Sequence, residues 1–256
     1  MRVLDQILLF IISFMANAFS AFAGGGAGLL QLPALIFLGL SFKVALATHK
    51  IATVALGIGA TIRHLRERSL ERYLIIIMLL AGVPGVIIGA NIILFIPNRA
   101  AEIALGLMTI GLGLYSVMQP SLGQIFSPKK LSKRTGIIGA SVLFIIGILN
   151  GSLTSGTGLF VTLWLIYWFG LDYKRAVAYT MVLVGLFWNA SGAITLGLQV
   201  NIQWDWLIAL LLGSLLGGYV GAHWSIVKGN KWIKRVYEVI TILVGSMLIF
   251  GRDMLF

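Results

Sequence analysis

The sequence predicts an all-α polytopic membrane protein, and three observations lead to that fold class. Of the 256 residues, 59% are hydrophobic and only 11% are charged. Two uncharged runs, residues 6–42 and 135–171, are each 37 residues long, and several further apolar segments follow them. About 20 apolar residues suffice to cross the roughly 30 Å hydrocarbon core of a bilayer, so we expect the chain to cross it several times.

The first run, residues 6–42, is too long for one straight span. A helix of that length would extend roughly 55 Å at about 1.5 Å per residue. Gly24, Gly25, Gly26 and Gly28 lie in its middle, and glycine tolerates the backbone angles that end a helix. Non-helical backbone at membrane depth persists only where protein or a water-filled cavity satisfies its polar groups. We therefore predict a broken or re-entrant helix with a binding site at the break.

Three apolar spans follow the first run, at residues 44–62, 73–96 and 103–118. We place Glu102 and Glu238 in the first turns of their helices, where the helix dipole favours an anion. The sequence then predicts no carboxylate at membrane depth, which argues against a carboxylate-based cation pump.

A second copy of the same arrangement occupies the rest of the chain. Residues 39–47 (Gly-Leu-Ser-Phe-Lys-Val-Ala-Leu-Ala) match residues 170–178 (Gly-Leu-Asp-Tyr-Lys-Arg-Ala-Val-Ala) at an offset of 131. An internal duplication is the simplest account of this match. We expect a first transmembrane repeat at 1–120, a cytoplasmic basic linker at 121–134 and a second transmembrane repeat at 135–256.

Loop charge predicts the topology. Segments 63–72, 129–134, 174–175 and 228–235 hold 14 of the 19 Lys and Arg residues, and basic loops stay cytoplasmic. The net charge of +11 is then positive-inside bias rather than a nucleic-acid surface. The loop after the second element becomes internal in one half and external in the other, so the halves are inverted. We expect about eight transmembrane elements, or ten if each hairpin counts as two, in a multi-pass protein of the cell inner membrane.

The glycine break and the segment after it carry a family resemblance. Gly24-Gly-Gly-Ala-Gly28 with Pro33, followed by Ala45-Leu-Ala-Thr-His-Lys50, resembles the TauE/SafE sulfite exporter family of bacterial membrane permeases. The second half repeats the pattern in residues 151–158 and 170–180, so the resemblance covers nearly the whole chain. It implies transport of sulfite, sulfonates or related sulfur-containing anions.

The leading hypothesis is a secondary transporter of small anions that works by alternating access between inverted halves. A passive anion channel and a non-transporting membrane anchor or assembly subunit remain alternatives. The sequence contains no P-loop, HExxH or GxSxG motif, so we expect neither an enzyme nor a bound cofactor. The expected partners are a small anion, the lipid bilayer, a coupling proton and a second copy of the chain.

Lys50 and His49 are adjacent titratable residues within an apolar span. A charge at membrane depth usually faces the bundle interior for a functional reason. In the functional interpretation, Lys50 attracts the anion, and His49 donates a hydrogen bond or carries the coupling proton. In the structural alternative, Lys50 lies one or two turns deep and its ammonium reaches the interface.

Polar groups around the two breaks complete the predicted substrate site, because amides, hydroxyls and free N–H groups at a helix start bind oxyanions. Helix–helix hydrogen bonding is the structural alternative for each of them. The further candidates for substrate binding are Gly25, Gly26, Gln31, Thr48, Asn150, Ser155, Gly156 and Thr157. Asn189 is assigned to packing.

Overall fold

The computed structural model describes residues 3–67, 70–93, 95, 98–129, 132–154 and 156–250. Every regular element in that part of the chain is helical, and we number ten helices. The first five are α1 (Val3–Ala23), α2 (Ala27–Phe37), α3 (Phe42–His64), α4 (Arg72–Ile92) and α5 (Asn98–Met118). The next five are α6 (Lys133–Ser152), α7 (Thr157–Phe169), α8 (Tyr173–Gly197), α9 (Trp204–Lys228) and α10 (Asn230–Phe250).

Six of the described helices, α1, α3, α4, α6, α8 and α9, are long and apolar enough to cross a membrane. Helices α2 and α7 are shorter, at 11 and 13 residues. Helices α5 and α10 have 21 residues each, and α10 carries several charged residues in its first half. The chain is therefore a multi-pass, all-helical membrane protein.

Both 37-residue runs contain a helix end followed by a second helix start. Between α1 and α2, Gly24, Gly25 and Gly26 have φ of 89°, 149° and 103°, which L side chains rarely adopt. Between α6 and α7, Thr154 and Gly156 have φ of 59° and 75°. The two segments touch: a Cβ added to Gly25 would lie 2.5 Å from the Leu159 nitrogen.

Small residues bring two helix pairs into backbone contact. In the first pair, α1 runs parallel to α9, because Gln6 bonds Asp205 at their starts and Ala18 lies against Gly221 further along. In the second pair, α4 runs parallel to α6, and a Cβ added to Gly151 would lie 2.1 Å from the Val86 carbonyl oxygen. Such close approach replaces the hydrophobic driving force that is missing between helices in lipid.

Helices α3 and α8 form the centre of the bundle. They run antiparallel, since Lys50 lies near Asn189 while Gly57 meets the backbone of Gly185. In each of the two helices, 72% of the most apolar 18-residue stretch is buried. The stretch Thr180–Trp188 of α8 is a π-helix, a rare form that is frequently found at functional sites.

The basic loops meet at one end of the bundle. Lys174 bonds Glu67 at 3.0 Å, and the Asn230 side chain bonds both the Lys174 N–H and the Gln124 carbonyl oxygen. At the opposite end, the Gln203 N–H donates to Thr48. The loop between α8 and α9 and the basic loops therefore lie at opposite ends.

Glu238 is not a helix cap, and that prediction is wrong. It is the ninth residue of α10 and lies two turns inside the helix. Its carboxylate accepts from Lys234 at 2.6 Å and from the Ser116 hydroxyl at 3.0 Å. The charge of Lys234 at i−4 compensates the carboxylate at that depth. The side chain of Glu102 lies outside the described residues.

Candidate functional site

A small cavity lies where the two glycine segments meet helices α3 and α8. Its volume is about 30 Å³, and its walls come from α1, α2, α3, α6, α7, α8 and the segments between them. All its lining residues are buried except Gly26, which is half-buried. Its polar side chains are those of Ser20, His49, Thr53, Asn150, Thr154, Thr180 and Asn189.

Two helix starts contribute to the cavity wall. Gly26 and Ala27, at the start of α2, lie on one side, and Gly158, in the first turn of α7, lies on the other. The first turn of a helix presents backbone N–H groups without intrahelical acceptors, together with the positive end of the helix dipole. Both helix starts therefore favour a negative charge in the cavity.

Lys50 lies beside the cavity rather than in its lining. Its side chain is fully buried, and its ammonium donates to the Asn150 carbonyl oxygen at 2.7 Å, to Asn150 Oδ1 at 2.9 Å and to Asn189 Oδ1 at 3.3 Å. Three acceptors satisfy the three donors of an ammonium. In this conformation Lys50 thus orients Asn150 and Asn189, which do line the cavity, and adds a positive charge behind them.

His49 is held by a chain of buried side chains that begins on α1. Asn17 donates to the Ser13 carbonyl oxygen at 2.7 Å and to Gln31 Oε1 at 3.4 Å. His49 Nδ1 lies 2.9 Å from the same Gln31 oxygen. Helix α9 joins through Ser214, which bonds Ser13 and Asn17. The position of the His49 ring is therefore set by α1, α2 and α9 together.

The structure brings most of the predicted site residues together. Four of them line the cavity, namely Gly25, Gly26, His49 and Asn150. Three others bond to a lining residue: Gln31 to His49, and Lys50 and Thr157 to Asn150.

Two of the remaining predicted residues stand apart from the cavity. Gly156 forms the N-cap of α7 and is not in the lining. Thr48 points to the bundle end, where it bonds the Gln203 N–H at 3.1 Å. Ser155 lies outside the described residues.

Helix α8 supplies cavity residues that the sequence interpretation missed. Asn189, assigned to packing, lines the cavity and accepts from Lys50. Thr180 and Met181 line it as well. The 131-residue offset pairs them with His49 and Lys50, so the repeat itself contained the signal for these two positions.

The cavity has room for a small polar species among buried side chains. About 10–15 Å³ of such space accommodates one water molecule, so this conformation has room for roughly two. A sulfur oxyanion is larger, and its binding requires the cavity to widen. Among the described residues there is no group of three or more His, Cys, Asp or Glu side chains that could hold a metal ion.

Comparison with known proteins gives one family and several transporter relatives. A protein of Haemophilus influenzae named "Probable membrane transporter protein" is 27% identical over 245 residues, covering 96% of this chain and 94% of that protein. The Escherichia coli K12 protein YfcA is 26% identical over 254 residues, with 97% and 92% covered. The Bacillus subtilis protein YunE is 21% identical over 266 residues, with 95% and 97% covered.

No solved structure matches the chain. Residues 9–248 match the family described as Sulfite exporter TauE/SafE. Since that match extends over nearly the whole sequence, the chain belongs to the TauE/SafE family of membrane transporters.

Proposed function

We propose that this protein is a secondary transporter of small sulfur-containing anions such as sulfite or a sulfonate. The observation that carries the proposal is the central cavity, where two helix starts, a buried histidine and a lysine-oriented pair of asparagines surround one small space. The two helix starts and the positive charge of Lys50 behind the asparagines favour an oxyanion, and the carboxylates of the described residues lie outside the cavity lining. An anion would therefore bind at the centre of the bundle.

The proposed mechanism is alternating access between two inverted halves, α1–α5 and α6–α10. The helix directions support it. Under the repeat α1 corresponds to α6 and α9 corresponds to α4, and both pairs, α1 with α9 and α6 with α4, run parallel. The counterparts α3 and α8 run antiparallel. Inverted repeats around a midplane site are a recurrent plan of secondary transporters.

The cavity lining contains pairs of residues that are equivalent under the repeat. His49 and Thr180 are equivalent at the offset of 131, as are Thr53 and Val184, and all four line the cavity. A rocking motion of one half against the other would open this shared space to each side in turn. The burial of nearly all lining residues favours a carrier over an open channel.

A flux assay tests this function against the alternatives. The purified chain is reconstituted in liposomes, and uptake of labelled sulfite and methanesulfonate is compared with that of protein-free liposomes. We expect saturable uptake and exchange between external and internal anion, as a carrier requires. Flux that rises linearly with concentration would identify a channel, and the absence of any flux would favour the membrane-anchor alternative.

A further inference from the structure

The ring of His49 has one nitrogen that its surroundings leave free. Nδ1 is bonded to Gln31, whereas Nε2 is buried and has no hydrogen-bond partner among the described residues. The residue lines the central cavity and is fully buried. A buried polar atom without a partner costs free energy unless something in the adjacent space bonds it. Nε2 is therefore the ring atom available to an occupant of the cavity.

The hydrogen-bond chain determines which nitrogen carries the proton of the neutral ring. The Asn17 amide nitrogen is identified as the donor because it bonds the Ser13 carbonyl oxygen. The Gln31 atom that it faces at 3.4 Å is therefore the oxygen, and the Gln31 amide nitrogen faces Ser13 Oγ at 3.0 Å. His49 Nδ1 faces that same oxygen and must donate to it. In a neutral imidazole the other nitrogen, Nε2, is then an acceptor.

An acceptor at Nε2 does not suit a fully ionised oxyanion, because two lone pairs would face each other. The contact becomes favourable when one proton lies between Nε2 and an oxygen of the anion. In the empty cavity that extra proton is disfavoured, because burial penalises a charged ring and the Lys50 ammonium next to it on α3 adds a like charge. The anion removes this cost, so anion and proton stabilise each other in the cavity.

We propose that the cavity binds its anion together with one proton, which is held at His49 Nε2. This inference rests on the proposed function and gives its coupling ion. The proton comes from the aqueous side to which the cavity is open and leaves with the anion on the other side. Only the bond between Nε2 and hydrogen forms and breaks, and no redox step is involved.

His49 is the one titratable side chain among the described residues that line the cavity. The wall of α1 contributes Ser20, α6 contributes Asn150, and α8 contributes Thr180 and Asn189, none of which titrates near neutral pH. The glycine-rich starts of α2 and α7 add backbone groups only. Lys50 is the charged group next to His49, and it is bonded to the two asparagines.

The test is the pH dependence of anion affinity in the purified full-length protein. The probes are sulfite and methanesulfonate, the second of which has no proton of its own to lose near neutral pH. We expect the affinity of the wild type for methanesulfonate to fall by up to about tenfold per pH unit on the alkaline side, as the uptake of one proton per anion requires.

Two substitutions of His49 separate the loss of its proton-binding nitrogen from the loss of its packing contacts. His49→Asn keeps an amide donor at the position of Nδ1 for Gln31 but has nothing at Nε2, so the protein should fold and its affinity should lose the pH dependence. His49→Gln places a donor near Nε2 that does not titrate, and should bind with a flat pH profile. His64→Gln is the matched control, because His64 is a second buried histidine of α3 outside the cavity lining.

The possible outcomes are distinct. A flat pH profile for wild-type binding of methanesulfonate would overturn this inference and leave the transporter proposal intact. An unchanged pH dependence in both His49 variants would also overturn it, because the proton would then lie elsewhere. If the wild type bound neither probe, both this inference and the proposed function would fail.

Discussion

Lys50 is a fully buried cation whose ammonium donates three hydrogen bonds inside the bundle. The equivalent position in the second half is Met181, so packing alone does not require a charge there. Lys50→Met should weaken binding of sulfite by about 2–3 kcal/mol, because it removes the positive charge behind the cavity, and two unit charges about 6–8 Å apart interact by roughly that much at an effective dielectric constant of about 20. It also leaves Asn150 and Asn189 without their common donor. The measurement is sulfite affinity by titration, with the melting temperature recorded in parallel.

Lys43→Met is the matched control for Lys50→Met. Lys43 lies on the same helix but is exposed, so the same loss of charge there should change affinity very little. Wild-type affinity in a folded Lys50→Met protein would contradict the role of Lys50 at the site.

The residues of the site differ in how well the sequence predicts them. His49, Lys50 and the glycine segment are visible because a titratable pair and a glycine cluster are rare within apolar runs. Asn189 is not, since a single asparagine in a membrane helix equally indicates packing. Its role depends on a contact between residues 50 and 189, which local sequence does not reveal. The sequence prediction for Glu238 is wrong because local sequence does not show that α10 begins at Asn230. Nor does it show that Lys234 and Ser116 bond the carboxylate.

At the scale of the elements, the contact between the α1–α2 segment and the start of α7 forms part of the cavity wall. Gly158 lies in a helix at ordinary backbone angles, so its replacement acts through space alone. A Cβ at Gly158 would lie 2.9 Å from the Gly25 Cα and 3.2 Å from the Gly24 carbonyl oxygen. Gly158→Ala should therefore push the two segments apart, lower the melting temperature and weaken anion binding.

Gly111→Ala in α5 is the comparison for Gly158→Ala. A Cβ there would meet nothing within 4 Å, and alanine is favoured over glycine in a helix by roughly 0.5–1 kcal/mol. The melting temperature of Gly111→Ala should stay the same or rise. If Gly158→Ala behaved like Gly111→Ala in both measurements, close contact between the two segments would not matter for the site.

The helices themselves follow from apolar runs and glycine spacing, and the three spans predicted by residue number differ from α3, α4 and α5 by at most five residues at either end. The π-helical stretch Thr180–Trp188 does not follow from any local pattern. It coincides with the packing of Trp188, whose indole N–H bonds the Met78 carbonyl oxygen at 3.0 Å and whose ring lies over Gly82. The neighbouring helix α4 supplies that space, so the stretch depends on a contact between distant parts of the chain.

At the scale of the whole molecule, loop charge and the proposed inversion of the two halves together predict the orientation in the membrane. We expect the basic end of the bundle to face the cytoplasm and the α8–α9 loop to face outward. The native chain contains no cysteine, so single cysteines report position without a background. Gln199 is exposed in the α8–α9 loop, and Lys129 is exposed at the basic end.

The orientation predicts opposite labelling of these two positions in intact cells. A membrane-impermeant maleimide should modify Gln199→Cys from outside, whereas Lys129→Cys should react only after the membrane is opened. Anion uptake by each variant in liposomes shows that the labelled protein is native. The inverted arrangement places the loop after α3 and the loop after α8 on opposite sides of the membrane. Modification of Gln199→Cys from the cytoplasmic side only would therefore contradict that arrangement, and with it the proposed alternating access.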